Sequence, residues 1–406
     1  RLELFWPIKK WDAVAALCGA PCYLKICGAA VPATRAYVML ASMLLAILFD
    51  RPALSMRSVA MAATVVLLSR PESIIEPGFQ MSFAAVVSLV AVAEWERARP
   101  FTEGRFWPLP GVRHYLRGIA ITSFVGSVAT APFAAFHFDR ATHYAVLGNL
   151  LAMPIMGFLT MPAAALAVLL MPFGLDHLPL IVMGWGIEAM LVVGRWVSGL
   201  PGAVSITAAW PVSAIVLMSL GGLWIAIWRT RWRWLGFIPA IIGIAAIFAV
   251  QQPDLLIARD GSTVAIRGAD GALRLLRAPA DKFSAAEWLK RDGDDRDYTL
   301  AIATPRDGVQ CDAEGCVAKA PNGMRVAAAS RAMALAEDCA AADIVVSATP
   351  TRGLCAGPKL VIDRFDVARN GAYAVWFGNP LRVENVRETR GDRPWNVWPR
   401  RRSGAQ

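Results

Sequence analysis

The 406-residue chain is 56% hydrophobic and 18% charged, against about 25% charged in an average soluble domain, and its mean hydropathy is +0.46. These values exclude an ordinary water-soluble globule, a disordered chain and a fibrous repeat. The net charge of +10 bears on partners rather than on fold.

The charge is unevenly spread. Residues 1–250 carry 18 basic and 11 acidic side chains, and residues 251–406 carry 23 and 20. The chain is expected to divide into a transmembrane part over 1–250, a small soluble α/β domain without a metal site over 251–380, and a basic Arg/Trp tail over 381–406. It opens on Arg1 rather than Met and shows no signal peptide, so it reads as a piece whose natural start lies upstream.

A bilayer core of roughly 30 Å takes about 20 apolar helical residues to cross. About nine segments qualify, over 12–31, 35–49, 57–69, 78–94, 115–136, 144–171, 179–199, 210–228 and 233–250. The last two are the clearest. Segment 12–31 is weakened by Pro21 and Lys25, and 57–69 is short. Segment 144–171, broken by Pro154 and Pro162, reads as one bent span or a re-entrant pair. Segment 179–199, with Glu188 and Arg195, spans or lies in the interface.

Arginine and lysine in short loops set orientation. Arg229, Arg231 and Arg233 between the two clearest spans put that loop in the cytoplasm. With nine crossings, Arg51 and Arg57, the arginine-rich loop 95–117, and Lys9 and Lys10 fall on the same side. The N-terminal end is then expected to be cytoplasmic and residues 251–406 to lie outside.

Cysteine usage bears on the same question. Cys18, Cys22 and Cys27 lie in the first segment, and Cys311, Cys316, Cys339 and Cys355 in the polar part. An even number in an exported domain fits two disulfides. Proximity favours Cys311–Cys316, with Cys339–Cys355 as the remainder; four free thiols are the alternative. The polar part has no histidine, since His114, His137, His143 and His177 all lie upstream. A His-rich dinuclear metal site, a Ser-His-Asp triad and a Cys-His pair are therefore excluded from it. No metal or cofactor is expected, and no catalytic residue is assigned.

Asp260-Gly261 and Asp270-Gly271 between short apolar runs predict a meander over 254–278. A helix over Ser284–Arg291 is predicted with Ser284 as N-cap and Glu287 completing a capping box, and another over Met333–Ala341. Strands are predicted at Asp343–Ala348, Leu360–Ile362 and Ala372–Phe377. The run Asp292, Asp294, Asp295, Asp297 lacks the glycine and glutamate of a calcium loop and reads as solvated. From Arg382 to Arg402 seven arginines, with Trp395 and Trp398, face three acids. This composition suits single-stranded nucleic acid or anionic headgroups, or a plain solvated tail.

Polar side chains inside spans default to functional hypotheses. Here they are Gln80 and Ser82, Asn149 ahead of Pro154, a Thr122/Ser123/Ser127/Thr130 stripe, and Glu188, with Arg35, His137, Asp139, Arg140 and His143 at span ends. Interhelical hydrogen bonding, close packing and headgroup anchoring are the structural alternatives. No G-x-x-x-x-G-K-[ST] loop occurs, so no ATP motor is read here.

Several ordered runs carry a resemblance. Gly28–Ala36 (Gly-Ala-Ala-Val-Pro-Ala-Thr-Arg-Ala) and Asp50-Arg51-Pro52-Ala53-Leu54-Ser55 come first. Pro71-Glu72 and Pro77-Gly78-Phe79-Gln80-Met81-Ser82-Phe83 follow. Phe136-His137-Phe138-Asp139-Arg140, Asn149–Pro154 and Met161-Pro162 complete the series. Together they resemble the competence domain of the ComEC DNA-uptake proteins, over about residues 10–250.

The resemblance implies an inner-membrane channel passing one DNA strand into the cytoplasm during natural transformation. It makes Gly78–Phe83 and Asn149–Pro154 parts of the path or its scaffold. DNA-path candidates are Arg35, Gln80, Ser82, His137, Arg140, Asn149 and Pro154. It also implies partners: single-stranded DNA, the lipid bilayer, a periplasmic DNA receptor, and cytoplasmic helicase-like or single-strand-binding proteins. Many family members carry an N-terminal OB-like domain and a C-terminal metallo-β-lactamase-like domain. Residues 254–380 occupy the latter's place without its His-x-His-x-Asp-His motif, so a reduced version with no metal-dependent nuclease is expected. A small-solute transporter and a membrane-associated nuclease are the competing readings.

Overall fold

The computed structural model describes residues 8–97, 110–303, 308–351, 353–391 and 393. They form two compact units. One runs to Ser205 and resumes over Trp210–Ala249; the other takes Ile206–Ala209 and everything from Val250.

The first unit is helical. Its helices are α1 (Ile8–Ile26), α2 (Val31–Leu48), α3 (Met56–Ser69), α4 (Pro77–Arg97) and α5 (Pro110–Phe138), then strand β1 (Arg140–Thr142). There follow α6 (Ala145–Ile155), α7 (Met161–Leu170), α8 (His177–Ser198), strand β2 (Val204–Ile206), α9 (Val212–Ile227) and α10 (Phe237–Phe248). Six stretches are long and apolar enough to cross a membrane: Val31–Leu48, Pro77–Arg97, His114–Phe138, Ala145–Phe173, His177–Ser198 and Arg231–Phe248. The apolar helices α3 and α9 are shorter, at 14 and 16 residues. At about 1.5 Å per residue each falls short of a roughly 30 Å core.

The expected segment 12–31 is cut by a turn. Gly28 and Ala29 take positive φ angles of 69° and 49°, so α1 stops at Ile26 and α2 starts on Val31-Pro32, where proline's missing N–H costs nothing. Helix α1 carries Lys9, Lys10, Asp12 and Lys25, and it is not among the six long apolar stretches.

Pro154 and Pro162 do not break segment 144–171. A π-turn over Met156–Thr160 joins α6 to α7. The Met161 N–H donates five residues back to the Met156 carbonyl, the pattern by which a helix absorbs a misfit without ending. Helix α8 packs close to this turn at Gly186, where any Cβ would overlap the Thr160 hydroxyl.

β1 and β2 pair as a two-stranded sheet, the His143 N–H donates to the Ala203 carbonyl at 3.1 Å, and the Tyr144 hydroxyl donates to the Pro201 carbonyl at 3.1 Å. The end of α5 and the end of α8 are thereby on one side of the unit. The helical runs between them must go out and back, which fits one continuous run over 145–173 and not a re-entrant pair. At the opposite end of α4, Arg229 pairs with Glu94 at 2.6 Å and Arg97 donates to the Leu54 carbonyl at 3.3 Å. Lys10 pairs with Asp50 at 2.6 Å, joining the start of α1 to the end of α2.

The backbones come close together at the α9–α10 turn. A Cβ on Gly236 would lie 2.6 Å from the Gly221 carbonyl and 2.7 Å from Ile225 Cγ1. Only hydrogen fits at both positions.

The second unit holds β3 (Leu255–Ile257), β4 (Val264–Arg267), β5 (Leu273–Leu275), α11 (Lys282–Asp292), α12 (Tyr298–Ala303), β6 (Val309–Cys311), β7 (Gly315–Lys319) and β8 (Arg325–Ala329). It continues with α13 (Leu335–Ala341), β9 (Ile344–Ser347), β10 (Leu360–Ile362), α14 (Arg364–Asn370), β11 (Tyr373–Trp376), β12 (Arg382–Asn385) and α15 (Val386–Arg390). Two five-stranded sheets form, β12-β11-β3-β4-β5 and β10-β9-β8-β7-β6. The first is antiparallel, and the second is parallel across β8, β9 and β10.

Side-chain alternation builds four layers. Val264 and Ile266 of β4 meet Val326, Ile344 and Val346 between the sheets. The intervening Ala265 faces Ala285 and Leu289 of α11, and Ala327 and Val345 face Leu335 and Cys339 of α13.

Four expectations need correction here. Helix α11 starts at Lys282 because the Asp281 carboxylate accepts the Ser284 N–H at 3.0 Å. Asp281, not Ser284, is thus its N-cap, and Glu287 lies 3.9 Å from Lys290 instead of closing a capping box. The acidic run is not simply solvated: Asp292 pairs bidentately with Arg267 at 3.1 and 2.5 Å, Asp294 pairs with Arg296, and Asp297 accepts the Thr299 hydroxyl at 2.6 Å. The basic tail starts later than Leu381, because Arg382–Arg390 form β12 and α15; Trp395, Trp398, Arg400, Arg401 and Arg402 lie outside the described residues. Helix α13 begins at Leu335, two residues after Met333.

Replacing Gly221 by Ala should destabilise the chain by about 1–3 kcal/mol through overpacking. The adjacent Gly222, with nothing within 4 Å, should tolerate Ala within roughly 0.5 kcal/mol. Thermal melts of the detergent-solubilised chain compare the two.

Acid should loosen the second unit at α14. Burial pushes the Asp363 carboxyl up, but N–H donors from Thr351, Asp366 and Phe365 and the Thr351 hydroxyl outweigh it and hold the group below its ordinary value. A lowered carboxyl stabilises above its unfolded pKa of about 3.9 and loses that contribution as pH falls through the folded value. The unit's near-UV dichroism melt should fall as pH drops below about 4, and Asp363→Asn should flatten that limb.

Candidate functional site

Three helices bring four polar residues to one end of the first unit. Arg35 sits in the second turn of α2, Glu76 just before α4, Gln80 in the first turn of α4 and His137 at the end of α5. The Arg35 side chain is only 10% exposed, and its Nη1 lies 3.6 Å from Glu76 Oε2. Its guanidinium fills the space a Cβ would take on Gly78. Arg35 Nε is buried with no hydrogen-bond partner among the described residues. A buried donor left without a protein partner costs its desolvation unless water or another group meets it.

Gln80 ties α4 to α5. Its Nε2 donates to the Ile74 carbonyl at 2.9 Å, which turns its Oε1 toward His137 Nε2 at 2.7 Å. With the amide so oriented, the imidazole must donate from Nε2. The same short motif supplies the packing beneath. Phe79 and Phe83, with ring centroids 4.4 Å apart, join Val59, Ala62 and Val66 of α3. One helix face thus holds the core and the neighbouring face holds the polar tie.

The other sequence candidates lie apart. Ser82 is half-buried on α4 and Arg140 is exposed on β1. Asn149 is exposed on α6, and Pro154 is absorbed within that helix. Among the described residues no hydrogen bond or ion pair joins any of them to Arg35, Gln80 or His137. Glu188 and Arg195 are exposed on α8. His143 Nε2 meets the Ser205 hydroxyl at 2.9 Å. The α5 hydroxyls turn inward: Thr122 and Thr130 donate to the Gly118 and Gly126 carbonyls of their own helix, each at 2.8 Å. An open cleft of about 330 Å³ runs between α2, α4 and α5 toward the other end of α4, lined by Met43, Val86, Val90, Glu96, Gly118 and Thr122.

Sequence reading missed Glu76 and the purpose of Gly78. A carboxylate directly before Pro77-Gly78, facing an arginine at another span end, was the available signal. In the second unit the Cys311 and Cys316 sulfurs meet in disulfide geometry across β6 and β7, with Cα atoms 4.0 Å apart. Those of Cys339 and Cys355 meet with Cα atoms 5.0 Å apart. Among the described residues no group of three His, Cys, Asp or Glu side chains is gathered for a metal.

Gly78→Ala should displace the Arg35 guanidinium from Glu76 and lower the melting midpoint. The same change in an Arg35→Gln background should cost less. Equal costs in the double-mutant cycle would show that Arg35 does not occupy this space.

The comparisons with known proteins bear on this unit. The competence-protein family model matches residues 1–232. ComE operon protein 3 of Bacillus subtilis (strain 168) is 27% identical over 151 residues, covering 37% of this chain and 18% of that protein. The chain therefore spans only a small part of that curated relative's length. No solved structure matches. The stretch matched by the family model contains Arg35, Glu76, Gly78, Gln80 and His137, and the chain belongs to the competence-protein (ComEC) family.

Proposed function

We propose that the first unit conducts single-stranded DNA across the bacterial inner membrane during natural transformation. The observation that carries this reading is Arg35: a nearly buried guanidinium facing Glu76 at a bundle end, inside the family-matched stretch. DNA is a polyanion, and a hydrocarbon crossing needs cationic and hydrogen-bonding groups where phosphates enter. Few and partly neutralised charges suit transit, because a ligand held too tightly does not leave. Arg35 attenuated by Glu76, beside the hydrogen-bonded Gln80–His137 pair, has that character. The cleft along α4 lies further down the same helix.

In this reading the chain crosses nine times. The alternating contacts at the two ends of α1, α2, α4, α5, α8 and α9 support it. The short α3 and α9 would cross where neighbouring 3₁₀ turns lengthen the run or the bilayer thins. The arginine-rich α9–α10 turn faces the cytoplasm, as does the N-terminal end, and the C-terminal unit faces the periplasm. Paired Cys311–Cys316 and Cys339–Cys355 suit that oxidising side.

The C-terminal unit reads as a reduced metallo-β-lactamase-like sandwich that performs no cleavage. Degradation of the second strand, delivery by a periplasmic receptor, and pulling by a helicase-like or single-strand-binding protein then belong to partners.

Labelled DNA is followed into cells lacking this locus and into cells restored with the chain or its Gln80→Ala variant. Deletion should leave DNA in the periplasm, and restoration should return it to the cytoplasm. Gln80→Ala should lower entry about tenfold, the weight of one lost hydrogen bond in a rate, while the protein still inserts. Unchanged entry on deletion would remove the channel reading and favour a solute transporter.

A further inference from the structure

The α9–α10 turn carries Trp224, Trp228, Arg229, Arg231, Trp232, Arg233 and Trp234 within eleven residues. The structure gives its three arginines different work. Arg229 is committed to Glu94 at 2.6 Å. Arg233 donates to the Ile225 carbonyl at 3.1 Å, satisfying one of the orphan carbonyls at the end of α9. Arg231 is exposed and makes no ion pair or side-chain hydrogen bond among the described residues.

The turn that presents Arg231 is held firmly. Trp224 Nε1 donates to the Trp232 carbonyl at 2.9 Å, and Gly221 and Gly236 lock the helices behind it. Trp232 and Trp234 are each 62% exposed.

The surface leading away from the turn is hydrocarbon. Leu223 and Ile227 on α9, and Ile238, Ile241 and Ile242 on α10, are all exposed. A guanidinium with no ion pair among the described residues, flanked by tryptophans and continued by exposed aliphatic side chains, matches a lipid with an anionic head and acyl tails. A DNA strand would find apolar surface beyond the turn.

We propose that this turn is a binding site for an anionic diacyl phospholipid. Arg231 holds the phosphodiester headgroup, Trp232 and Trp234 flank it at the interface, and the acyl chains lie along α9 and α10. The site is separate from the Arg35 cluster and does not depend on the DNA-conducting reading.

The test uses the full chain in phosphatidylcholine nanodiscs carrying a small, equal fraction of brominated phosphatidylglycerol or brominated phosphatidylcholine. The fluorescence difference between the chain and its Trp232→Phe variant isolates the turn's signal. Brominated phosphatidylglycerol should quench this signal with about fivefold higher apparent affinity, the weight of one arginine at an anionic surface. Arg231→Gln should abolish the preference and Arg231→Lys should keep it. Equal quenching by both lipids overturns the proposal, as does a preference that survives Arg231→Gln. If a single-stranded oligonucleotide instead changes the signal in pure phosphatidylcholine discs, and that response needs Arg231, the turn is a nucleic-acid site and the lipid assignment fails.

Discussion

A guanidinium cannot be left bare inside an apolar bundle, and the seating of Arg35 organises the end of the first unit around that constraint. Glu76 supplies the counter-charge, and Gly78 vacates the room. The Pro77-Gly78 start of α4 sets the helix at the distance where both happen. From that start, Phe79 and Phe83 turn into the α3–α4 core while Gln80 turns toward α5. A stretch of six residues thus packs one neighbour, binds a second by hydrogen bonding and accommodates a charge from a third.

Glycine recurs wherever this bundle needs helices closer than side chains allow. Gly186 meets the π-turn at Thr160, and Gly221 meets Gly236. In hydrocarbon no solvophobic force drives helices together, so close van der Waals contact carries more of the load. The two prolines of the long run obey the same economy. The backbone groups they free must be satisfied within the chain, and the π-turn carries the helix past them.

The two units solve different problems. The first buries little of its hydrophobic surface against itself, and its exposed aliphatic side chains suit lipid. The second buries a core between two sheets and a further core on each outer face, as a chain surrounded by water must. Its acids are spent on structure: Asp281 and Asp363 cap helices, and Asp292 clamps Arg267.

The amino-acid pattern by itself determined the hydrophobic and polar division, the apolar segments, the family resemblance, and the strands set off by Asp-Gly turns, because each is a local property of composition or period. The strands β6, β7, β8 and β12 and the helices α12, α14 and α15 escaped it. Gly-Cys-Val-Ala-Lys and Arg-Val-Ala-Ala-Ala have weak strand propensity; the first becomes a strand by pairing with β6 and β8, and the second by pairing with β7 and β9 and packing on α13. Of the candidate site, Arg35, Gln80 and His137 were legible as costly polar residues at or within spans. Their convergence was not, because the contacts join residues 41 and 57 positions apart. Nor was the division of labour among Arg229, Arg231 and Arg233. They look alike in the chain, and only the positions of Glu94 and the Ile225 carbonyl decide which of them is already engaged.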